Sequence, residues 1–368
     1  MMLVLAYRNL LVHKERFFLA TLGVTCSIVL VLFLMGLYAG WRENMETYLR
    51  HVRADVWVGQ KGAADLFQTF SLLPAEGEQM FYQAEEVEAV ASFVGRLLTC
   101  EAHGRRCYTF VVGVNDKESG PVSLLAGRAV DSPGEIVIDH VFARRENLAL
   151  DDTLSVAGTP LRIVGIAQGG NCFLYQYAFV TLAQARQLFG LTGMVNYFLV
   201  QLADHASPEE AVARIERTSA LVAAYTKEQF IANNIALTGD NFLPILRVLE
   251  ILGMLVGSAV IGLTVYTLTV ERGPEYGVLK AIGASDSALY KTAAMQALIC
   301  GICGWVLGVP CSWGLVAVAQ YAVPQFPAAS YPRHAVWVLC CTLLMSLVAA
   351  IAPARRIARI DPAIAFKG

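Results

Sequence analysis

Charge is scarce in this chain. Only 16% of its 368 residues are Asp, Glu, Lys or Arg, the net charge is −2 and 56% are hydrophobic, giving a mean hydropathy of +0.52. Soluble domains carry roughly a quarter of their residues charged, so this composition excludes an ordinary water-soluble protein. The usual marks of chemistry are missing too. There is no GxxxxGK[ST] phosphate loop, no GxSxG elbow and no HExxH, and His13, His51, His103, His140, His205 and His334 are scattered without ligand spacing. Adjacent Asp151 and Asp152 read as a solvated turn before a strand rather than a catalytic pair. No catalytic residue, metal site or nucleic-acid partner is expected, and the chain is not read as an enzyme on its own.

What fills the composition is four apolar runs, Phe17–Gly40, Ile251–Val270, Ala293–Val323 and Ala335–Ala352, none containing Asp, Glu, Lys, Arg or His. Each matches the ~20 residues a helix needs to cross ~30 Å of hydrocarbon. The first exceeds a secretory h-region and lacks a small-x-small cleavage site, which makes it a retained anchor. Arg8, Lys14 and Arg16 precede it, Arg272, Lys280 and Lys291 lie between the second and third runs, and Arg355, Arg356, Arg359 and Lys367 follow the fourth. The positive-inside rule then places both termini and the 271–291 loop in the cytoplasm. Arg42, Arg50 and Arg53 pull the other way, but large translocated domains largely escape that rule. The absence of ionisable groups in the runs also excludes a proton- or sodium-driven carrier.

The expected organisation is a cytoplasmic amphipathic segment 1–16, a first span 17–40, an extracytoplasmic domain 41–244 and a second span 245–270. A cytoplasmic coupling loop 271–291, a third span 292–323, an external turn 324–334, a fourth span 335–352 and a cytoplasmic tail 353–368 complete it. The inserted domain reads as α+β. Short apolar or alternating stretches, ADVWVG (54–59), CYTFVVGV (107–114), EIVID (135–139), LRIVGIA (161–167) and NYFLVQL (196–202), predict strands. Ser207-Pro208-Glu209-Glu210 and Thr226-Lys227-Glu228-Gln229 predict capped helix starts.

Of nine cysteines, Cys26, Cys300, Cys303, Cys311, Cys340 and Cys341 lie in the spans, where thiols pack as small apolar groups. Cys100 and Cys107 flank EAHGRR, and a hairpin there would bring them within bonding distance and leave Cys172 over. An oxidising exterior permits that disulfide without requiring it. Small-residue pairs at helical spacing, Gly36 and Gly40, Gly253 and Gly257, Gly304 and Gly308, allow close helix contacts, either among the four spans or with a second copy.

Between the second and third runs stands ERGPEYGVLKAIGAS (271–285), too charged and glycine-rich for lipid. It resembles the signature of permeases related to MacB, LolC/LolE and FtsX, with Glu275, Gly277, Lys280, Ala281, Gly283 and Ala284 filling the pattern. AYRNLLVHKERF (6–17), APARRIARIDPAIAFKG (352–368) and GEIVIDHVFARRENLALDDTLSVAGTPLRIVGIA (134–167) resemble other parts of the same family. ADVWVGQKG (54–62) with LLPAE (72–76) looks most like its DevC-type branch, while Gly273-Pro274 departs from the family's charged pair. The resemblance implies the permease subunit of an ABC-type export system in the bacterial inner membrane, with a periplasmic domain moved by a separate ATP-binding subunit. That partner would dock on Glu271, Arg272, Glu275, Tyr276, Gly277, Leu279, Lys280, Ile282, Gly283 and Ala284. No cofactor is implied for this chain; ATP and Mg belong to the partner, expected in two copies. A second permease copy or sister permease, an HlyD-like adaptor and an outer-membrane channel are the other implied partners. The alternative is an FtsX-like signalling subunit that activates an external hydrolase, and a third is a receptor or adhesion domain on an anchor.

Overall fold

The computed structural model describes residues 14–82, 86–115, 119–173, 175–241, 243–271, 278, 282 and 285–358. A 38-residue helix, α1 (Lys14–His51), is followed by β1 (Val56–Gln60), β2 (Leu73–Pro74), the single turn α2 (Glu78–Phe81), β3 (Val87–Ala102), β4 (Arg105–Val114), β5 (Ser123–Gly127) and β6 (Glu135–Asp139). Next come α3 (His140–Glu146), β7 (Thr153–Val156), β8 (Thr159–Gln168), β9 (Tyr177–Thr181), α4 (Leu182–Phe189), β10 (Met194–Val195), β11 (Tyr197–Leu202), α5 (Pro208–Thr218), β12 (Val222–Thr226) and α6 (Lys227–Gly239). Four more helices close the described chain: α7 (Leu243–Glu271), α8 (Asp286–Ala322), α9 (Pro332–Ala349) and α10 (Ile351–Ala358). Among the described residues four helices are long and apolar enough to cross a membrane, and an α+β domain lies between the first and second.

The chain forms two compact units, one of Met1–Tyr38, Pro244–Ala319 and Ala328–Gly368, the other of Ala39–Leu243 with Gln320–Pro327. In the first unit the glycines decide the packing. Gly304 and Gly308 of α8 face Val24 and Ile28 of α1, while Gly253 and Gly257 of α7 face Val31 and Ser27. Gly36 lies against the carbonyl of Ala329, whose N–H donates to the Gly36 carbonyl at 2.9 Å. Without hydrophobic drive between helices in lipid, such close approach supplies the van der Waals contact that holds them. Hydrogen bonds add to it. Thr25 Oγ1 donates to the Gly304 carbonyl (3.3 Å) and Trp305 Nε1 to the Ala335 carbonyl (2.9 Å). Gly40 is buried on α1.

In the second unit the strands run β12-β1-β11-β3-β4-β9-β6-β8-β5, with β7 joining β3 and β8, and a separate β2–β10 pair. β4 with β9 and β6 with β8 are parallel; the other pairs are antiparallel. Alternation sorts the two faces by chemistry. Val56, Val58, Val94, Val111, Ala178, Val180, Phe198 and Val200 join a largely aliphatic core under α3, α4 and α5. The residues alternating with them are largely aromatic, among them Trp57, Phe93, Phe110, Tyr177, Phe179 and Tyr197. Phe230 of α6 stacks on Trp57 with ring centroids 4.4 Å apart and planes 11° apart, and Tyr48 of α1 sits 4.3 Å from Tyr177. Each such fully buried ring contributes roughly 1.5–3 kcal/mol of transfer free energy, plus about 1 kcal/mol for a well-placed aromatic pair.

The helix α1 does not stop at Gly40, the expected end of the span. Trp41, Met45, Tyr48, Leu49 and Val52 are all buried and keep helical spacing. On the other side, Arg42 and Arg50 both bond Glu46 at i,i+4 spacing (2.9 and 3.1 Å). At the opposite end of the bundle, α8 starts at Asp286, six residues before the expected third span, because Ser285 caps it by accepting from Ala288 N (3.3 Å).

Gly304→Val tests the bundle. A Cβ at 304 would stand 2.5 Å from Val24 Cγ1, whereas one at Gly314 meets nothing within 4 Å. Overpacking of this kind costs about 1–3 kcal/mol. Thermal unfolding in detergent should show Gly304→Val clearly destabilised and Gly314→Ala unchanged; equal melting of both would contradict the packing.

Candidate functional site

The polar segment after α7 is the candidate partner contact. Of its expected contact residues, Arg272, Glu275, Tyr276, Gly277, Leu279, Lys280, Gly283 and Ala284 lie outside the described residues, as do Gly273, Pro274 and Ala281. Glu271 is the exposed last residue of α7. Ile282 N donates to the Val278 carbonyl at 3.0 Å, one helical turn's bond, and Ile282 is 79% exposed. Ser285 then starts α8. The described residues of the segment thus include an exposed isoleucine and a half-exposed Val278. Residues 6–13 of the amphipathic segment and 359–368 of the tail also lie outside the described residues.

In the inserted domain, β3 and β4 form a hairpin in which Cys100 is the register partner of Cys107. Their Cα atoms are 4.9 Å apart, inside the range a disulfide spans, and the two sulfurs are paired. His103 and Gly104 make the turn with positive φ, 50° and 75°, a conformation glycine adopts without cost. Cys172 is buried, and burial pushes its thiol up to about 12, so it is an unreactive packing group. Among the described residues no group of three or more His, Cys, Asp or Glu side chains could hold a metal.

Where the domain begins and ends, charges fasten the chain. Arg50 of α1 binds Glu228 of α6 through both guanidinium nitrogens (2.7 and 3.1 Å). Lys227 Nζ donates to the Val52 carbonyl (2.8 Å), and burial lowers its pKa below the usual lysine value. Farther along, Arg128 embraces Glu135 and holds its carboxyl down at about 2. One organising residue escapes the pattern reading of the sequence. Asp65 accepts from the N–H of Phe67 (3.0 Å), Gln68 (2.7 Å) and Thr69 (2.9 Å) and from Thr69 Oγ1 (2.7 Å), shaping the loop after β1. The run Ala64-Asp65-Leu66-Phe67-Gln68-Thr69 carries the Asp N-cap signal that could have located it.

Residues 17–218 match the MacB-like periplasmic core domain, and residues 248–362 match the FtsX-like permease C-terminal region. The chain is 24% identical over 372 residues to an uncharacterized ABC transporter permease of Mycobacterium tuberculosis (strain CDC 1551 / Oshkosh), covering all of both. It is 23% identical over 383 residues to the macrolide export ATP-binding/permease protein MacB of Rhodopseudomonas palustris (strain HaA2), covering 96% of this chain but only 58% of that protein. The periplasmic region of MacB from Actinobacillus actinomycetemcomitans aligns with 49% of this chain and 92% of its own, at 10% identity and a TM-score of 0.39.

The hairpin yields a direct test. Non-reducing peptide mapping of protein isolated without reductant should recover Cys100 and Cys107 linked. Closing so short a loop stabilises by about 2–3 kcal/mol in the chain-entropy account, so Cys100→Ala with Cys107→Ala should lower the domain's melting temperature by several degrees. Recovery of both as free thiols would reject the link.

Proposed function

The chain belongs to the ABC transporter permeases of the MacB/FtsX-like family, and on that premise we propose that it is the membrane subunit through which a separate ATP-binding chain moves the inserted domain. The observation that carries this reading is the placement of the two matched regions. The MacB-like match runs from within α1 through α5, ahead of α7, and the polar segment Glu271–Ser285 joins α7 to α8 inside the FtsX-like match. The 368 residues hold no phosphate loop, and the R. palustris relative that is named for both ATP binding and permease is matched over only 58% of its length. ATP and Mg are then held by the partner, in two copies across a pair of permease chains. The work read for such a unit is export of a substrate, or its extraction from the outer side of the inner membrane.

Exposed apolar residues in a segment of polar sequence suit this docking. Val278 and Ile282 supply water-removable surface, and Glu275 and Lys280 supply charges that fix register. The basic residues beside α1, after α7 and after α9 favour cytoplasmic termini and a cytoplasmic loop, with the inserted domain periplasmic.

Two experiments test the reading. Ile282→Asp and Gly283→Trp should each weaken capture of the cognate ATP-binding subunit; losing one interfacial anchor typically costs ~2 kcal/mol or more, roughly thirtyfold. Pull-downs, with ATP turnover measured in nanodiscs, would show it, and unchanged binding and turnover in both variants would reduce the segment to a connector. For orientation, a membrane-impermeant maleimide applied to intact spheroplasts should label Asp204→Cys and spare Ile282→Cys. Labelling at 282 from outside would overturn the topology and the docking with it.

A further inference from the structure

The aromatic face of the sheet is left open at the β3–β4 end. A cavity of about 250 Å³ lies there, between the Asp65 loop and the strands. Phe110, Tyr197 and Gly95 line it from the sheet, Phe67 and Tyr175 stand on its side with rings 5.9 Å apart and stacked within 22°, and Phe70 and Leu97 are its exposed lip. Gly95 keeps the space open, since a Cβ there would come within 2.8 Å of Phe110 and 3.0 Å of Phe93. Past the lip the same strand face continues as Tyr108, two residues from Phe110 and also exposed.

The polar side chains in the depth of the cavity, Asn196, Ser71 and Tyr197, are already engaged. Asn196 Nδ2 donates to the Ser71 carbonyl (2.8 Å) while its Oδ1 accepts from Gly95 N (2.8 Å). Ser71 Oγ accepts from Gln60 N and donates to the Asn196 carbonyl. Tyr197 OH donates to the Asp65 carbonyl (2.6 Å), and the Asp65 carboxylate is saturated by its own loop. Among the described residues bordering the space the one charged side chain is Arg96, which lies between Gly95 and Leu97, so strand alternation turns it to the other face. With these groups engaged, few free polar partners remain to replace an ion's hydration. A neutral ring would find aromatic faces to stack on.

Volume narrows the occupant further. A dry cavity of roughly 150 Å³ accepts benzene, so 250 Å³ holds more than a single ring. We propose that this cavity binds an uncharged, ring-bearing amphiphile of about two rings, its apolar body between Phe67, Phe110 and Tyr197 and its polar end at the mouth beside Gln68. The site is complete within residues 66–197 and needs neither nucleotide nor partner, so it stands or falls separately from the coupling segment.

Benzophenone, a neutral two-ring photolabel, tests it on the full chain in nanodiscs. Irradiation followed by peptide mass spectrometry should place label on residues 66–71, 95–97 or 110, and excess naphthalene should suppress that label at least tenfold while leaving label in the membrane helices. Leu97→Glu and Phe70→Glu put a charge on the lip at positions 37% and 60% exposed, where the fold tolerates it. Each should reduce cavity label tenfold at an unchanged melting temperature. Label confined to the membrane helices, cavity label that naphthalene does not compete, or equal cavity label in both folded variants would overturn the proposal.

Discussion

A domain inserted between two membrane helices must return its chain to the place where it left, and the pairing of β1 with β12 meets that constraint. Val56 to Gln60 run antiparallel to Thr226 to Val222, so the first strand of the domain is bonded to its last. Around this pair Lys227 N donates to the Asp55 carbonyl (2.8 Å), Arg50 holds Glu228, and Trp57 lies flat on Phe230. Everything between, about 160 residues of sheet and helix, hangs from that closure. The loop entropy of bringing the ends together is met once, by backbone hydrogen bonds and one stacked aromatic pair.

The two faces of the sheet then do different things. The aliphatic face is a closed core, sealed by α3, α4 and α5 with caps that match the residues at their starts: Asp139, Thr181 and Ser207 each accept from a backbone N–H of the first turn. The aromatic face is covered by the second half of α1 and by α6, and beyond Phe110 by a loop rather than a helix. Rings pack with directional demands that aliphatic chains lack. The opening lies where this face is covered by the 66–71 loop.

Much of this was readable in advance. Hydropathy alone locates the four spans, alternation finds β1, β4, β6, β8 and β11, and the Ser207 and Thr226 caps open α5 and α6 as expected, the latter as a full capping box. The continuation of α1 to His51 was not readable from hydropathy, because Arg42, Glu43, Glu46 and Arg50 depress the average while the buried stripe Trp41, Met45, Tyr48, Leu49 and Val52 persists in phase. Strands β9 and β12 are not among the stretches that the sequence pattern predicts, and β3 owes its 16 residues to different partners along its length, β11, β7 and β4. The cavity draws on segments near 67, 95, 110, 175 and 196, which only the sheet order brings together.

The glycine contacts of the bundle also bear on how the chain is made. Synthesis delivers α1 first, yet Val24, Ile28 and Val31 pack against Gly304, Gly308 and Gly253, residues that follow them by more than two hundred positions. At roughly 5–20 residues per second, that gap lasts on the order of tens of seconds. Through this interval the first helix sits in lipid with its β-branched ridge uncovered, while the inserted domain has time to fold ahead of the later helices. The bundle therefore closes last, around a helix already anchored at its far end by the finished domain's Trp41, Met45 and Tyr48.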